Sequence, residues 1–159
     1  MDVKIKKVAF LGLFMALLVI ATTVFRFPVP TFNLYFNLGE GVIYLVALIF
    51  GGPAGAIVGG VGSGMSDILG GYPVWAPITL LIKGTEGFIV GVLSKRTKPY
   101  LAVAAGAAIM MIGYATAAGL LYGAGAVPVE LAGDFVQVSV GGIIALMLHY
   151  RLKKYIIGR

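Results

Sequence analysis

The sequence predicts an all-α integral membrane protein, a single bundle of six transmembrane helices with both termini in the cytoplasm. Of its 159 residues, 60% are hydrophobic and only 11% are charged, which is far more apolar than the composition of soluble globular domains. At about 20 apolar residues for each crossing, the chain has room for about six spans joined by short connections. No room is left for a nucleotide-binding or catalytic domain, so we expect no enzyme activity, no cofactor and an energy source on another protein.

The basic residues set the expected orientation. Ten of the 12 fall at the N-terminus, in one central turn and at the C-terminus: Lys4, Lys6, Lys7, Lys95, Arg96, Lys98, Arg151, Lys153, Lys154 and Arg159. Basic residues beside apolar spans are retained on the cytoplasmic side, so both ends and the central turn are placed there. The same clustering explains the net charge of +6 without nucleic acid, which we do not expect as a partner.

The first three helices are predicted at residues 8–24, 38–50 and 54–69. The first resembles a signal sequence, but its apolar run is long and no cleavage site follows, so it is interpreted as a retained span. It ends before Pro28 and Pro30, and residues 26–38 are expected to form a loop. Helix 2 is the shortest span, and the Gly51-Gly52-Pro53 turn separates it from helix 3.

The last three helices are predicted at residues 78–93, 100–122 and 129–150. An aromatic loop with Pro73 and Pro77 precedes the first of them. The basic turn at residues 95–98 separates it from the second, and a Gly/Ala-rich loop before Pro128 precedes the third.

Six charged residues fall in the outer halves of these predicted spans: Glu40, Asp67, Lys83, Glu86, Glu130 and Asp134. A charge near the bilayer centre costs about 2.5–3.5 kcal/mol, so such groups are normally paired or face a wet cavity. Their shared depth predicts a polar chamber open to the exterior. The acids outnumber the bases there, which favours a neutral or cationic ligand.

Structural alternatives remain for several of these charges. Lys83 and Glu86 are three residues apart and could neutralise each other. Asp67 could orient the following loop, and Glu130 is close enough to the interface that solvation is the preferred interpretation. Asp134 is deeper and lies three residues before Gln137.

Aromatic and amide groups at the same depth complete a candidate binding site, because flat rings can stack on a heteroaromatic ligand while polar groups orient it. The candidate ligand-binding residues are Asn33, Asn37, Glu40, Asp67, Tyr72, Trp75, Lys83, Glu86, Tyr114, Asp134 and Gln137. No catalytic set is present. There are no cysteines and the single histidine, His149, is remote from the acids, so no metal site is expected.

Glycine spacing predicts close helix packing. The Gly-rich run at 51–64 lacks a Gly-Lys-Ser/Thr ending and lies in an apolar span, which excludes a phosphate-binding loop. Small residues at every fourth position instead let helix backbones approach closely in lipid. On helix 1, Ala9, Gly12 and Ala16 follow a similar spacing, which fits either internal packing or a partner-docking surface.

Several motifs carry a resemblance to a known family: NLGEG at 37–41, GGPAGA at 51–56, SDIL at 66–69, APIT at 76–79 and KGTEG at 83–87. The chain resembles the substrate-binding S components of energy-coupling factor (ECF) vitamin transporters, in the riboflavin-transporter-like branch. The resemblance covers nearly the whole length, and the KGTEG block is its most distinctive part.

The resemblance implies that the protein captures a water-soluble vitamin from the exterior, with riboflavin first and pyridoxine-like or other neutral heteroaromatics next. It also implies a separate transmembrane scaffold subunit and two ATPase subunits, with Ala9, Gly12 and Ala16 at the place where the family docks the scaffold. The other hypotheses are a stand-alone proton-coupled transporter or channel using Asp134 or Glu86, and a purely structural assembly subunit.

Overall fold

The computed structural model describes residues 3–32 and 34–156, and its regular structure is mostly helical. The elements in chain order are α1 (Val3–Val24), β1 (Phe27–Val29), a 3-10 turn (Pro30–Phe32), β2 (Leu34–Phe36), α2 (Glu40–Phe50), α3 (Gly52–Ala56), a π-helical segment (Ile57–Gly62), α4 (Ser63–Gly70), α5 (Ala76–Leu93), α6 (Pro99–Tyr122) and α7 (Ala126–Ile156).

Several helices have the length and composition needed to cross a bilayer. Within the described residues, three apolar stretches are long enough, Ala76–Leu93, Pro99–Tyr122 and Ala126–Leu152, and Val8–Val24 and Glu40–Phe50 are shorter apolar helices. Large apolar side chains such as Leu120 and Leu81 are 83% and 68% exposed, as expected of surfaces that contact lipid rather than water. The protein is a multi-pass membrane protein of the plasma membrane, and its helical membrane fold agrees with the sequence prediction.

The loop predicted at residues 26–38 differs from that prediction because it contains a short β-hairpin. Strands β1 and β2 are antiparallel, with Phe27 opposite Phe36 and Val29 opposite Leu34. Both strands of a two-stranded ribbon are edge strands, so Pro28 fits in β1 although it cannot donate a ladder hydrogen bond. The prolines end α1, as expected, but they do not prevent the aromatic residues around them from pairing as strands.

Prolines also account for helices that begin earlier than predicted. Pro77, Pro99 and Pro128 lie in the first turns of α5, α6 and α7, where a missing amide leaves no intrahelical hydrogen bond unmade. The sequence prediction placed α7 at 129–150, whereas the helix begins at Ala126 and extends to Ile156.

The third predicted helix is interrupted. Instead of one α-helix over 54–69, α3 continues into the π-helical segment Ile57–Gly62 and then into α4. Short π-helical segments inside α-helices are rare and accommodate one additional residue. This segment packs against α5 and α1, so the irregular backbone lies in the centre of the bundle.

Glycines allow α3 and the π-helical segment to pack directly on the backbone of α5. A Cβ atom on Gly55 would lie 2.5 Å from the carbonyl oxygen of Gly87, and one on Gly60 would lie 2.8 Å from that of Leu80. Neither approach leaves space for a side chain. The predicted role of the small residues in close helix packing is confirmed for this helix pair.

We expect Gly55→Val to lower the thermal stability of the purified protein strongly, because the new side chain collides with the α5 backbone. Overpacking of this kind typically costs about 1–3 kcal/mol. Gly12→Val is the matched control, since a Cβ at Gly12 has nothing within 4 Å. Thermal unfolding in detergent measures both variants, and equal melting temperatures would contradict the close-packing interpretation.

Candidate functional site

A small cavity lies where β2, the end of α4, the start of α5, the second half of α6 and the first turns of α7 meet. It is lined by Leu34, Tyr35, Asn37, Asp67, Trp75, Thr79, Lys83, Tyr114, Glu130, Asp134 and Gln137. Its volume is about 30 Å³, enough for about two water molecules. The lining residues of α5 lie near its start, and the one from α6 lies towards its end. The cavity is therefore at the opposite end of both helices from the basic turn at 95–98.

An aromatic wall on one side of the cavity is held by hydrogen bonds. The rings of Trp75 and Tyr114 have centroids 5.7 Å apart, and both side chains are more than nine-tenths buried. Trp75 Nε1 donates to the Tyr122 hydroxyl at 3.1 Å, and the Tyr114 hydroxyl donates to Thr79 Oγ1 at 2.9 Å. Tyr122, the last residue of α6, therefore positions the indole ring.

The β-hairpin is tied to the end of α4. The Tyr35 hydroxyl donates to Asp67 Oδ1, and the Arg26 guanidinium donates to the carbonyl oxygens of Ser66 and Gly70 at 3.2 and 3.1 Å. Arg26 also lies 4.6 Å from the centre of the Tyr35 ring. Burial raises the pKa of Tyr35 far above its ordinary value, and the neighbouring Asp67 carboxylate raises it further. Tyr35 therefore stays a hydrogen-bond donor at ordinary pH.

A layer of paired charges lies beside the cavity. The Lys83 ammonium forms ion pairs with Glu40 of α2 and with Glu86 one turn along α5, the latter at 3.6 Å. The Tyr44 hydroxyl donates to Glu86 Oε1 at 2.6 Å. All four side chains are at least 95% buried. The pairing of Lys83 with Glu86 that the sequence suggested is present, and Glu40 is a second partner of Lys83.

The α7 side of the cavity carries Glu130, Asp134 and Gln137 on one helix face. Gln137 Nε2 donates a long hydrogen bond to Asp134 Oδ1 at 3.4 Å. Gln137 Oε1 accepts a hydrogen bond from the backbone N–H of Asn37. The expectation that Glu130 is merely solvated is wrong, because Glu130 is only 4% exposed. The helix begins at Ala126 and the Phe36 ring packs against Gly133, so this part of α7 lies under the hairpin.

The structure brings most of the predicted site residues together. Those that line the cavity are Asn37, Asp67, Trp75, Lys83, Tyr114, Asp134 and Gln137. Glu40 and Glu86 do not line it but bind Lys83, which does. Tyr72 packs on Tyr35, with ring centroids 4.6 Å apart, and is not in the lining. Asn33 lies outside the described residues.

Sequence reasoning missed Leu34, Tyr35, Thr79 and Glu130 as lining residues. The alternation of apolar and aromatic residues around Leu34 and Tyr35 could have indicated a strand with one inward face. Thr79 lies one turn before Lys83, so helical spacing places it on the same face of α5. No group of three or more His, Cys, Asp or Glu residues suited to a metal ion occurs among the described residues.

The predicted docking residues lie on the outer face of α1. Ala9, Gly12 and Ala16 are exposed, and the large apolar residues beside them are exposed as well. On the opposite face, Leu18 and Thr22 are buried against the bundle. These three small residues therefore do not serve internal packing of the described chain.

Comparison with known proteins gives one family. A family model described as "ECF-type riboflavin transporter, S component" matches residues 2–154. An uncharacterized protein of Pyrococcus woesei is 45% identical over 141 residues, which cover 86% of this chain and 95% of that protein.

Two further similarities are to named bacterial proteins. The thiamine precursor transporter HmpT of Lactococcus lactis is 32% identical over 146 residues, covering 91% of this chain and 86% of HmpT. A UPF0397 protein of Streptococcus pneumoniae is 33% identical over 97 residues, covering 60% of this chain and 52% of that protein.

We expect Lys83→Met to destabilise the ligand-free protein severely, because it leaves Glu40 and Glu86 buried without a cation. Removing one partner of a buried ion pair typically costs about 3–5 kcal/mol. The double variant Lys83→Met with Glu40→Gln should recover part of the loss, and Lys95→Met, at an exposed position, should be neutral. Thermal unfolding tests all three, and a neutral Lys83→Met would show that the pairs do not stabilise the fold.

Proposed function

The chain belongs to the family of ECF-type riboflavin transporter S components, and from this membership we propose that it is the substrate-binding membrane subunit of an ATP-driven importer. Its task is to capture a water-soluble vitamin or vitamin precursor from the exterior. The observation that carries the proposal is the buried cavity, where an aromatic wall of Trp75 and Tyr114 meets the acids of α4 and α7. Stacking surface combined with a few convergent polar groups is typical of sites for small heteroaromatic ligands.

The proposed topology has six spans, with α3, the π-helical segment and α4 acting together as the third and with both termini in the cytoplasm. Its support is the position of the cavity relative to the charges. The cavity lies at one end of α5 and α6, and the basic turn at 95–98 lies at the other. Retention of basic turns in the cytoplasm then directs the cavity to the exterior.

The proposed substrate is a heteroaromatic vitamin, with riboflavin as the first candidate from the family description. A thiamine precursor is the second, and two observations favour it: the similarity to HmpT and the cavity volume of about 30 Å³. Riboflavin has three fused rings and a polyhydroxy chain, so its entry requires a far larger displacement of the lining than a single ring does.

Ligand entry in this proposal requires the β-hairpin to move. The hairpin covers the cavity through Leu34 and Tyr35, and its attachments to α4 are the bonds of Tyr35 to Asp67 and of Arg26 to Ser66 and Gly70. All of these are polar contacts that water can replace at the membrane surface. Their release opens the cavity outward while the Lys83 ion pairs remain in place.

Energy for uptake comes from other subunits in this proposal: a transmembrane scaffold protein and two ATPases. The scaffold contacts the exposed face of α1 that contains Ala9, Gly12 and Ala16. Small residues on a lipid-facing helix allow a second helix to approach closely.

Ligand binding can be measured directly because Trp75 is the only tryptophan of the chain and lines the cavity. We expect quenching or a spectral shift of its fluorescence when riboflavin, thiamine or the aminopyrimidine alcohol that forms half of thiamine binds. Calorimetry on the same protein provides the affinity independently of the fluorophore. Trp75→Phe should abolish the optical signal, and the absence of binding to every vitamin of a broad panel at micromolar concentration would contradict the proposal.

Docking of the scaffold is tested by a matched pair of alanine-to-leucine substitutions. We expect Ala16→Leu to abolish uptake in cells while leaving ligand binding intact, because leucine blocks close helix approach. Ala108→Leu, at an exposed position of α6, should leave both intact. Loss of binding in Ala16→Leu would contradict a docking role, and proton-driven uptake by proteoliposomes of this chain alone would favour a secondary transporter instead.

A further inference from the structure

Two carboxylates in the cavity lack the partners that buried carboxylates normally have. Glu130 and Asp134 are 4% and 1% exposed, and both line the cavity. Glu130 Oε2 and Asp134 Oδ2 are buried and accept no hydrogen bond from the described residues. Because the two residues are four apart on α7, their side chains are neighbours on one helix face.

Lys83, the basic residue of the cavity lining, already forms ion pairs with other acids. Among the described residues, the ion pairs of Lys83 are with Glu40 and Glu86, and neither α7 acid forms a salt bridge. Arg26 is bound to the end of α4 through the carbonyl oxygens of Ser66 and Gly70. The cavity therefore contains two acidic groups that form no salt bridge with any basic side chain of the described chain.

The third acid of the lining, Asp67, also has one buried oxygen without a hydrogen bond, but its other oxygen has a structural partner. Asp67 accepts a hydrogen bond from Tyr35 and belongs to the attachment of the hairpin. Asp134 has only the long contact from the Gln137 amide, which leaves its second oxygen free. Unpaired carboxylate oxygens therefore occur on Asp67 as well as on the two α7 acids, but only the α7 acids take no part in holding the hairpin.

A buried carboxylate without donors is unfavourable unless it takes up a proton or binds a partner. A metal ion is a poor candidate, because no group of three or more suitable ligands occurs in the described part of the chain. An organic cation or an amino-substituted ring supplies N–H donors and positive charge at once, and charge-assisted hydrogen bonds are the strong ones. The adjacent Trp75 and Tyr114 rings provide the stacking surface for the rest of such a molecule.

We propose that Glu130 and Asp134 form a subsite for an amino or amidine-like group, so that the substrate is an amino-substituted heteroaromatic rather than a fully neutral ring. The proposal rests on the proposed function as a vitamin-binding subunit and narrows its substrate class. Pyridine and pyrimidine rings that carry an amino group fit this chemistry. Riboflavin carries no amino substituent and offers the two carboxylates only an imide N–H and hydroxyl groups as donors.

Matched ligand pairs test the subsite in the purified protein. The first pair is pyridoxamine and pyridoxine, which differ by an aminomethyl in place of a hydroxymethyl group. The second is the aminopyrimidine alcohol of thiamine and its analogue with the amino group replaced by hydroxyl. In at least one pair, we expect the dissociation constant of the amino member to be at least about tenfold lower than that of its partner. One charge-assisted hydrogen bond supplies a difference of this size.

Substitutions then assign the preference to the two acids. Asp134→Asn and Glu130→Gln should each reduce the preference for the amino ligand about tenfold, whereas Ala108→Leu, at an exposed position of α6, should retain it. Without ligand, the melting temperature of each α7 variant should equal or exceed that of the unaltered protein, because each substitution removes a buried carboxylate that forms no salt bridge. A lower melting temperature together with an unchanged ligand preference would show a structural role and overturn the proposal.

The outcomes separate this inference from the function on which it rests. Binding of riboflavin or pyridoxine in preference to every amino-substituted ligand overturns the subsite and leaves the proposed function intact. An amino preference that survives both α7 substitutions also overturns it. Failure of the whole panel to bind contradicts the proposed function, and the subsite fails with it.

Discussion

The ion pairs of Lys83 are the interaction on which the candidate site depends. One ammonium on α5 is shared between Glu40 at the start of α2 and Glu86 on its own helix, and Tyr44 of α2 binds Glu86 in turn. Two helices are therefore joined by a charged network in an environment where an unpaired charge is expensive. Because this network satisfies Lys83 internally, the remaining acids of the cavity are left for other partners.

That network requires α2, α5 and the glycine-rich segment to lie close together. Gly55 and Gly60 let α3 and the π-helical segment approach the α5 backbone at distances that exclude any Cβ. Helices in lipid gain little from the hydrophobic effect between them, so tight packing of this kind supplies much of their association. Helix packing and the placement of the charged site are consequently linked through α5, which takes part in both.

The sequence predicted the positions of the helices well and their details less well. Long apolar runs bounded by prolines and glycines identify most of the helices, and the grouping of Asp67, Lys83 and Asp134 at one cavity followed from the helix positions. The hairpin was not predicted, because Pro28 and Pro30 argue against strands in this loop and outweighed the alternation of residues that follows them. The burial of Glu130 depends on the hairpin lying over α7, a contact between segments about one hundred residues apart that no local pattern encodes.

The π-helical segment also constrains how the sequence can vary. A π-helical turn holds one residue more than the α-helix around it, and each residue of an α-helix turns the chain by about 100°. If the same residues formed a regular α-helix instead, the additional residue would rotate all of α4 by that angle. Asp67 would then point away from Tyr35, and the hairpin would lose its attachment. The sequence of this segment therefore has to preserve the π-helical turn, because that turn keeps α4 in register with the loop that contains the hairpin.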